Sequence, residues 1–310
     1  MTGTGDGRRA ALTLGPLLFN WPAAQRRDFY ARIADEAPID SVCLGEVVCA
    51  KRAPFSDPDL PEIARRLADG GKEVIYSTLA LVMDDHDRAL VAEIANASDM
   101  LVEANDLGAI EILAGRTHVI GPFVNVYNEG ALAWFAQRGA RRVSLPVELP
   151  TAAIGALGAR AGAVELEVTA FGRLPLAISA RCYHARARGL HKDGCRYVCD
   201  EDPDGLSVET LDGQGFLAVN GLQTLSHGVA ALTAEIAPLR AAGIDRFRLW
   251  PQAVDMVAVA RAYRDLLDGR LGPEEAAGRL AGLVPFAPVT AGFVSGSRSH
   301  YWHGTQGLAD

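Results

Sequence analysis

Three of the five cysteines in this 310-residue sequence fall within one short stretch. Cys182, Cys195 and Cys199 form a C-x12-C-x3-C arrangement. Thiolates are soft ligands, which favour iron–sulfur clusters or zinc over hard cations such as magnesium and calcium. The separation of Cys195 and Cys199 also falls within the ligand spacing of structural zinc sites. The stretch therefore predicts a metal site, and its spacing alone leaves iron and zinc as alternatives.

A 4Fe-4S cluster usually takes four thiolates, so a fourth ligand must come from elsewhere in the chain. Cys43 lies inside the apolar run 39–44, which predicts a buried strand, and cysteine is often buried as a small hydrophobic side chain. Cys49 follows that run beside Lys51 and Arg52, and neighbouring cations favour the thiolate over the thiol. We therefore predict Cys49 as the fourth ligand.

Two histidines, His184 and His191, lie between the three clustered thiols. Either is an alternative ligand, because neutral imidazole binds metals. Four cysteines already complete a ligand set, so we favour positions that face solvent or lie beside the ligands.

Short apolar runs alternate with helical segments along the first part of the chain, a pattern typical of a parallel sheet covered by helices. The predicted strands are 11–15, 39–44, 73–77, 100–103, 118–121, 142–145, 164–168 and 176–180. The predicted helices are 21–36, 61–68, 85–96, 106–114, 129–138 and 151–161. Eight strands in this pattern predict an α/β fold with a (β/α)8 TIM-like barrel. An open doubly wound sheet is the alternative.

A second block follows the predicted barrel, with a strand at 216–225, a helix at 229–242, a strand at 246–249 and a helix at 254–268. We therefore expect a disordered N-terminus at 1–10, a barrel core at 11–182 and a cysteine loop at 183–204. Residues 205–285 form a βαβα segment that completes or flanks the barrel, and 286–310 form a flexible tail. The tail aromatics Phe293, Tyr301 and Trp302, with His303, either dock on a partner chain or pack back on their own domain.

The predicted ligands Cys49 and Cys182 follow the second and eighth strands, where loops at the carboxyl ends of barrel strands form the reactive rim. Polar side chains expected at this rim could position a polar or anionic substrate, although for each one helix capping or mutual pairing is the favoured interpretation. Arg181 is the rim residue for which we favour a functional role, because positive charge near the sulfurs of a cluster tunes its reduction potential. The other rim residues are Glu46, Lys51, Arg52, Ser77, Thr78, Glu103, Asn105, Asn125, Asn128 and Glu148.

Composition narrows the classes of function. A net charge of −8 argues against a general nucleic-acid binder, for which a basic face supplies much of the affinity. The N-terminus MTGTGDGRRA lacks the apolar stretch of a secretory signal, and the uncharged run 280–297 is interrupted by prolines. We therefore expect a cytoplasmic protein with no transmembrane segment. The sequence also lacks G-x-S-x-G, H-E-x-x-H and dinucleotide-binding motifs, so we predict no peptidase activity and no nicotinamide site.

Several longer motifs carry a family resemblance. They are GEVVCAKR (45–52), STLALV (77–82), PVEL (146–149), LPLAISARC (174–182) and NGLQTLS (220–226). Together with the cysteine spacing, they resemble the UbiU/UbiV group of the collagenase-like peptidase family, from about residue 12 to about residue 263. The resemblance implies a 4Fe-4S cluster bound by Cys49, Cys182, Cys195 and Cys199, and it moves the expectation from zinc toward iron.

The resemblance also implies a function, namely hydroxylation of the ubiquinone ring without molecular oxygen. It implies a heterodimer with a UbiU-like protein, a UbiT-like lipid carrier that presents the quinone precursor, and prephenate as an anionic hydroxyl donor. One alternative is hydroxylation of a tRNA base, for which the segment 181–196 is the local basic candidate. A second alternative is a non-enzymatic scaffold held by structural zinc.

Overall fold

Parallel strands close into a ring in the computed structural model, which describes residues 9–97 and 99–296. In chain order the strands are β1 (Ala11–Leu14), β2 (Ser41–Leu44), β3 (Glu73–Ser77), β4 (Leu101–Ala104), β5 (His118–Ile120), β6 (Ala140–Ser144), β7 (Glu165–Ile178), β8 (Leu206–Glu209), β9 (Gly215–Asn220), β10 (Gln223–Ala231), β11 (Arg246–Leu249) and β12 (Val289–Thr290). Strands β1 to β7 pair in sequence order, and β11 pairs in parallel with both β7 and β1. This closed eight-stranded ring confirms the predicted (β/α)8 barrel.

The helices of the described residues lie mostly between successive barrel strands or after the last one. They are α1 (Ala23–Glu36), α2 (Ala53–Ser56), α3 (Leu60–Asp69), α4 (Asp85–Asn96), α5 (Leu107–Ile112), α6 (Glu129–Gln137), α7 (Thr151–Gly158), α8 (Tyr183–Ala187), α9 (Ile236–Ala241), α10 (Met256–Leu267) and α11 (Pro273–Leu283). Local chemistry sets several of their starts, because a side-chain oxygen accepts from free amides of the first turn. The residues that cap in this way are Asp84, Asp106, Asn128 and Asp255.

The eighth predicted barrel strand, 176–180, is wrong. Residues up to Ile178 belong to β7, whose first part lies in the barrel while its second part pairs antiparallel with β10. Only seven residues separate the predicted strands 164–168 and 176–180, whereas a crossover between parallel strands needs about a dozen. The eighth barrel strand is β11, which the sequence predicts as a strand in the second block.

The second part of β7 extends beyond the barrel and belongs to an antiparallel sheet at the carboxyl ends of the barrel strands. Strand β10 pairs with β7 and β9, β9 pairs with β8, and β12 adds in parallel to β10. The predicted strand 216–225 is therefore a hairpin with a turn at Gly221 and Leu222. The predicted helix 229–242 is also partly wrong, since its first residues finish β10 and only Ile236–Ala241 is helical.

Alternation along the strands divides the core into two parts. Val42 and Leu44 pack in the main apolar cluster with helix residues, whereas Cys43 between them points into the barrel. The barrel interior also holds Glu103, Glu167 and Arg248, all with no exposed surface. The ring therefore encloses a mixed apolar and charged layer in place of the usual aliphatic filling.

The chain ends lie largely outside the described residues. The predicted tail contributes β12 and Phe293 to the structure, whereas Tyr301, Trp302 and His303 fall beyond the described part. The predicted disordered stretch 1–10 is described only at residues 9 and 10. Among the helices of the described residues, none combines the length and apolar character needed to cross a bilayer.

Candidate metal centre

Cys49 lies in the loop that follows β2, at the carboxyl rim of the barrel. It precedes a single 3-10 turn, Ala50–Arg52. The Glu46 carboxylate accepts from the backbone N–H of Val48 at 2.7 Å and from that of Cys49 at 2.9 Å. These two hydrogen bonds form a compact turn from Glu46 to Cys49, which fixes the position of Cys49.

Cys182 lies at the start of the short helix α8, after the antiparallel part of β7. Its sulfur accepts from the backbone N–H of Ala185 at 3.4 Å, in the position of a helix cap. The thiol also lies 3.3 Å from the carbonyl oxygen of Gly221, to which it donates. Cys182 is therefore held between its own helix and the turn of the β9–β10 hairpin.

A tight turn joins Cys195 to Cys199. Arg196 and Tyr197 between them adopt φ of 52° and 57°, a left-handed conformation that costs about 1–2 kcal/mol for each residue with a side chain. Asn20 donates its side-chain N–H to the sulfur of Cys199 at 3.5 Å. Backbone strain of this kind persists only where the surroundings determine it, and it is concentrated at functional sites.

The four predicted ligands come together. Cys49, Cys182, Cys195 and Cys199 all line one cavity, although they come from three separate segments of the chain. Cys43 lies elsewhere, fully buried in the barrel, where its thiol is 3.7 Å from a Glu103 carboxylate oxygen. The structure thus separates the five cysteines into four around a shared space and one within the barrel.

Burial dominates the acid–base behaviour of Cys49 and Cys182. Burial raises the pKa of Cys49 to about 11, and the nearby Arg52 guanidinium offsets only part of that effect. Burial also raises the pKa of Cys182, where the Ala185 N–H acts in the opposite direction. The charge on Cys199 contributes to raising both pKa values, which reflects the proximity of the sulfurs. Metal binding at this site must therefore displace protons.

Two cations close the cavity. Arg52 is almost fully buried and donates to the Leu18 carbonyl at 3.1 Å and to the Asn220 side-chain oxygen at 2.7 Å. Lys51 donates to the Lys192 carbonyl at 2.8 Å and to the Asp193 carboxylate at 2.9 Å. Their charges compensate the negative charge that thiolates would bring into a buried site.

The set of side chains fits a four-iron cluster in chemistry and number. Such a cluster takes four thiolates, each on a different iron, and four sulfurs face this cavity. Among the described residues, no three His, Cys, Asp or Glu side chains form a group that could hold a single metal ion.

Several other predicted rim residues contact one another inside the barrel. Ser77 donates to Glu103 at 3.0 Å, and the backbone N–H of Asn105 donates to the Thr78 hydroxyl at 3.0 Å. All four are buried. Asn128 caps α6 through the backbone N–H of Ala131. These five positions follow the favoured interpretation of mutual pairing and capping.

Two open spaces flank the cysteine cavity along β7. The first is a cleft lined by Asn125 and Glu148 among mostly apolar side chains. The second is an open groove lined by Arg181, Arg186 and His191, together with Lys192 and Cys182. His184 behaves differently, since it is fully buried with its ring nitrogens 3.2 Å from the Val219 carbonyl oxygen and 3.0 Å from Asp202.

Three residues that contact the cysteines were not predicted as site residues. Asn20 and Asn220 hold the Cys199 sulfur and carbonyl, and the Gly221 carbonyl accepts from Cys182. Gly221 is followed by Leu222, and glycine at the first of two central positions is typical of one kind of two-residue hairpin turn. Nothing local marks Asn20, because its partner lies 179 residues away along the chain.

Comparison with solved structures gives a weak match. A crystal structure from Coccidioides immitis, assigned as a fructose-1,6-biphosphate aldolase, shares 12% sequence identity with this chain. The match covers 89% of this chain and 87% of the other, with a TM-score of 0.40.

Comparison with protein families is decisive. The model of peptidase family U32 matches residues 27–299, which is most of the chain. The match includes all the cysteines and nearly all of the barrel. This agrees with the collagenase-like peptidase family indicated by the sequence motifs. The chain therefore belongs to peptidase family U32.

Proposed function

We propose that this protein binds a 4Fe-4S cluster through Cys49, Cys182, Cys195 and Cys199. We further propose that it is a UbiV-like subunit of an oxygen-independent hydroxylase of the ubiquinone ring. The observation that carries the proposal is the cavity shared by four thiols, of which Cys49 lies far along the chain from the other three. The strained turn between Cys195 and Cys199 supports it, because a bound cluster would stabilise that conformation.

When bound, the cluster supplies one-electron chemistry or activation of the hydroxyl donor. The chain's own residues would hold the cluster and surround its sulfurs with positive charge and hydrogen-bond donors. Arg52 and Lys51 bring positive charge to the sulfurs, and the Ala185 N–H and the Asn20 amide donate to them. Hydrogen bonds and charges of this kind set the potential of a cluster and its stability.

The partners follow from the same proposal. A UbiU-like protein would complete a heterodimer, and a UbiT-like carrier would deliver the quinone precursor. The open groove beside Cys182 supports an anionic donor such as prephenate, because Arg181, Arg186 and Lys192 line it. Guanidinium groups bind carboxylates with two parallel hydrogen bonds.

Metal analysis of protein purified without oxygen tests the proposal. We expect equal amounts of iron and sulfide with broad visible absorbance, and loss or degradation of the cluster in Cys49→Ala, Cys182→Ala, Cys195→Ala and Cys199→Ala. Cys43→Ala is the matched control, because it removes a buried thiol of the barrel and leaves the cavity unchanged. A colourless Cys43→Ala protein would contradict the ligand assignment.

Other outcomes separate the alternatives. Zinc as the only bound metal would support a structural scaffold and overturn the proposal. With iron and sulfide present, a strain that lacks the gene should lose ubiquinone during anaerobic growth. If that strain keeps its quinone and loses a modified tRNA base, the function is RNA hydroxylation.

A further inference from the structure

The cleft beside the cysteine cavity has a distinctive lining. It opens at the carboxyl rim of the barrel and has a cavity volume of about 230 Å³. Three prolines, Pro122, Pro146 and Pro175, present rigid rings to this space, and Phe123 and Ile178 add apolar surface. An apolar cavity of about 150 Å³ already holds benzene. The cleft is therefore large enough for a substituted aromatic ring.

One carboxylate provides the charge of the cleft. Among the described residues that line it, Glu148 is the only ionisable side chain. The Tyr127 hydroxyl donates to one Glu148 oxygen at 2.5 Å, and no ion pair with Glu148 occurs in the described part of the chain. Burial and the neighbouring Glu148 together raise the pKa of Tyr127 to about 12, so the phenol keeps its proton. Tyr127 thus occupies one side of the carboxylate and leaves it accepting capacity for a ligand.

This arrangement selects against anions. A carboxylate ligand would meet Glu148 without a cation to compensate the repulsion, and like charges at short range are unfavourable. A neutral ligand that donates a hydrogen bond gains a charge-assisted interaction instead. Unlike a cation, it does not have to give up the hydration of a full charge among the apolar side chains that line most of the cleft. The cations of this region lie in the other groove, which begins at Ala180, two residues beyond the last cleft residue Ile178.

The cleft and the cysteine site pack against the same apolar cluster. Phe123 and Ile178 pack against a buried cluster that contains Val48, Leu222 and Trp250. Cys49 and Cys182 pack against the same cluster. A ring bound in the cleft would therefore lie across a shared apolar wall from two of the four thiols.

We infer that this cleft binds an uncharged aromatic ring that carries a hydroxyl group. Glu148 accepts a hydrogen bond from the hydroxyl, and the proline and phenylalanine rings cover the faces of the aromatic ring. The identification of that ring as the molecule to be hydroxylated rests on the proposed function. The occupancy of the cleft by a neutral phenol does not, because it follows from the lining alone.

A matched ligand series tests the inference on the full-length protein, with and without iron. The probes are 4-butylphenol, 4-butylanisole, 4-butylbenzoate and 4-butylbenzylammonium, and the measurement is the dissociation constant by calorimetry or ligand-observed NMR. We expect the phenol to bind about tenfold more tightly than the anisole, because only the phenol donates to a carboxylate. The benzoate should bind most weakly.

Substitution of Glu148 tests whether this residue binds the phenol. Glu148→Gln should weaken binding of the phenol about tenfold and leave binding of the anisole unchanged. Glu111→Gln, an exposed substitution on α5, is the control and should change neither constant. Equal affinities for phenol and anisole, tightest binding of the benzoate or ammonium probe, or no binding at all would overturn the inference.

Different results would contradict the cluster proposal and the cleft proposal. Phenol selectivity without iron and sulfide would leave the cleft assignment intact and remove the proposed hydroxylase. Iron and sulfide without phenol selectivity would leave the cluster and remove the cleft assignment. The ligand series on the unaltered protein decides the matter even if Glu148→Gln does not fold.

Discussion

Arg248 carries a positive charge into the middle of the barrel. Its guanidinium donates to Glu167 at 2.5 Å and to Glu103, and all three side chains are fully buried. Such charges are tolerated in a low-dielectric interior only when each has a partner. Burial alone would raise the pKa of Glu167, but attraction by Arg248, Arg142 and Arg246 outweighs it and lowers the pKa to about 2. The ionised form of Glu167 therefore stabilises the interior.

Acid should destabilise the barrel through this residue. The folded state holds the pKa of Glu167 below its ordinary value, so its ionised form stabilises the fold above about pH 4.5 and that contribution is lost toward pH 2. We expect it to be on the order of 3 kcal/mol in the free energy of unfolding. Urea unfolding between pH 7 and pH 2.5 measures it. Glu167→Gln should make the free energy of unfolding less dependent on pH in this range. Glu93→Gln, at an exposed position of α4, should leave that pH dependence unchanged.

The β9–β10 hairpin is the element that positions the cysteines. Its turn begins at Gly221, with φ of 66°. This matches a two-residue hairpin turn with glycine at the first central position. Asn220, just before it, donates to the Cys199 and Asp202 carbonyls at 2.9 Å. A Cβ on Gly221 would lie 2.2 Å from the Arg52 guanidinium, so the turn and the buried cation fit only without a side chain.

Gly221→Ala should therefore damage the cysteine site more than its backbone strain explains. Gly213→Ala is the matched control, because Gly213 has φ of 79° but no atom within 4 Å of its added Cβ. Both substitutions cost about 1–2 kcal/mol for a left-handed alanine, and only Gly221→Ala displaces Arg52. We expect Gly221→Ala to lose iron and visible absorbance after anaerobic reconstitution while Gly213→Ala keeps both. Equal retention in the two variants would show that the Arg52 position is unimportant.

The barrel closes only through contact between distant parts of the chain. Strand β11 lies between β1 and β7, with Arg246 opposite both Ala11 and Glu167. Without it, β1 and β7 would each present an unpaired edge, and such edges promote aggregation. The charged interior would also lose Arg246 and Arg248. We therefore expect the molecule to fold as one cooperative unit from β1 to at least β11.

A fragment of residues 1–204 tests this dependence. It contains the predicted barrel core and the cysteine loop but lacks β11 and the hairpin. We expect it to show no cooperative urea transition and to bind a hydrophobic dye, because its edge strands and apolar faces stay exposed. The full-length protein under the same conditions is the control. A monomeric fragment with a cooperative transition would contradict the role assigned to β11.

The sequence by itself determined what depends on local pattern. Seven barrel strands follow from short apolar runs separated by helical segments, as at residues 73–77 and 118–121. The cysteines pointed to a soft metal, since ligand chemistry belongs to the residue type. Tertiary structure alone decided the pairing of β11 with β1, the cavity shared by the four thiols, and the charges inside the barrel. Those features depend on partners from distant parts of the chain, and local propensity carries no information about which distant segment will lie opposite.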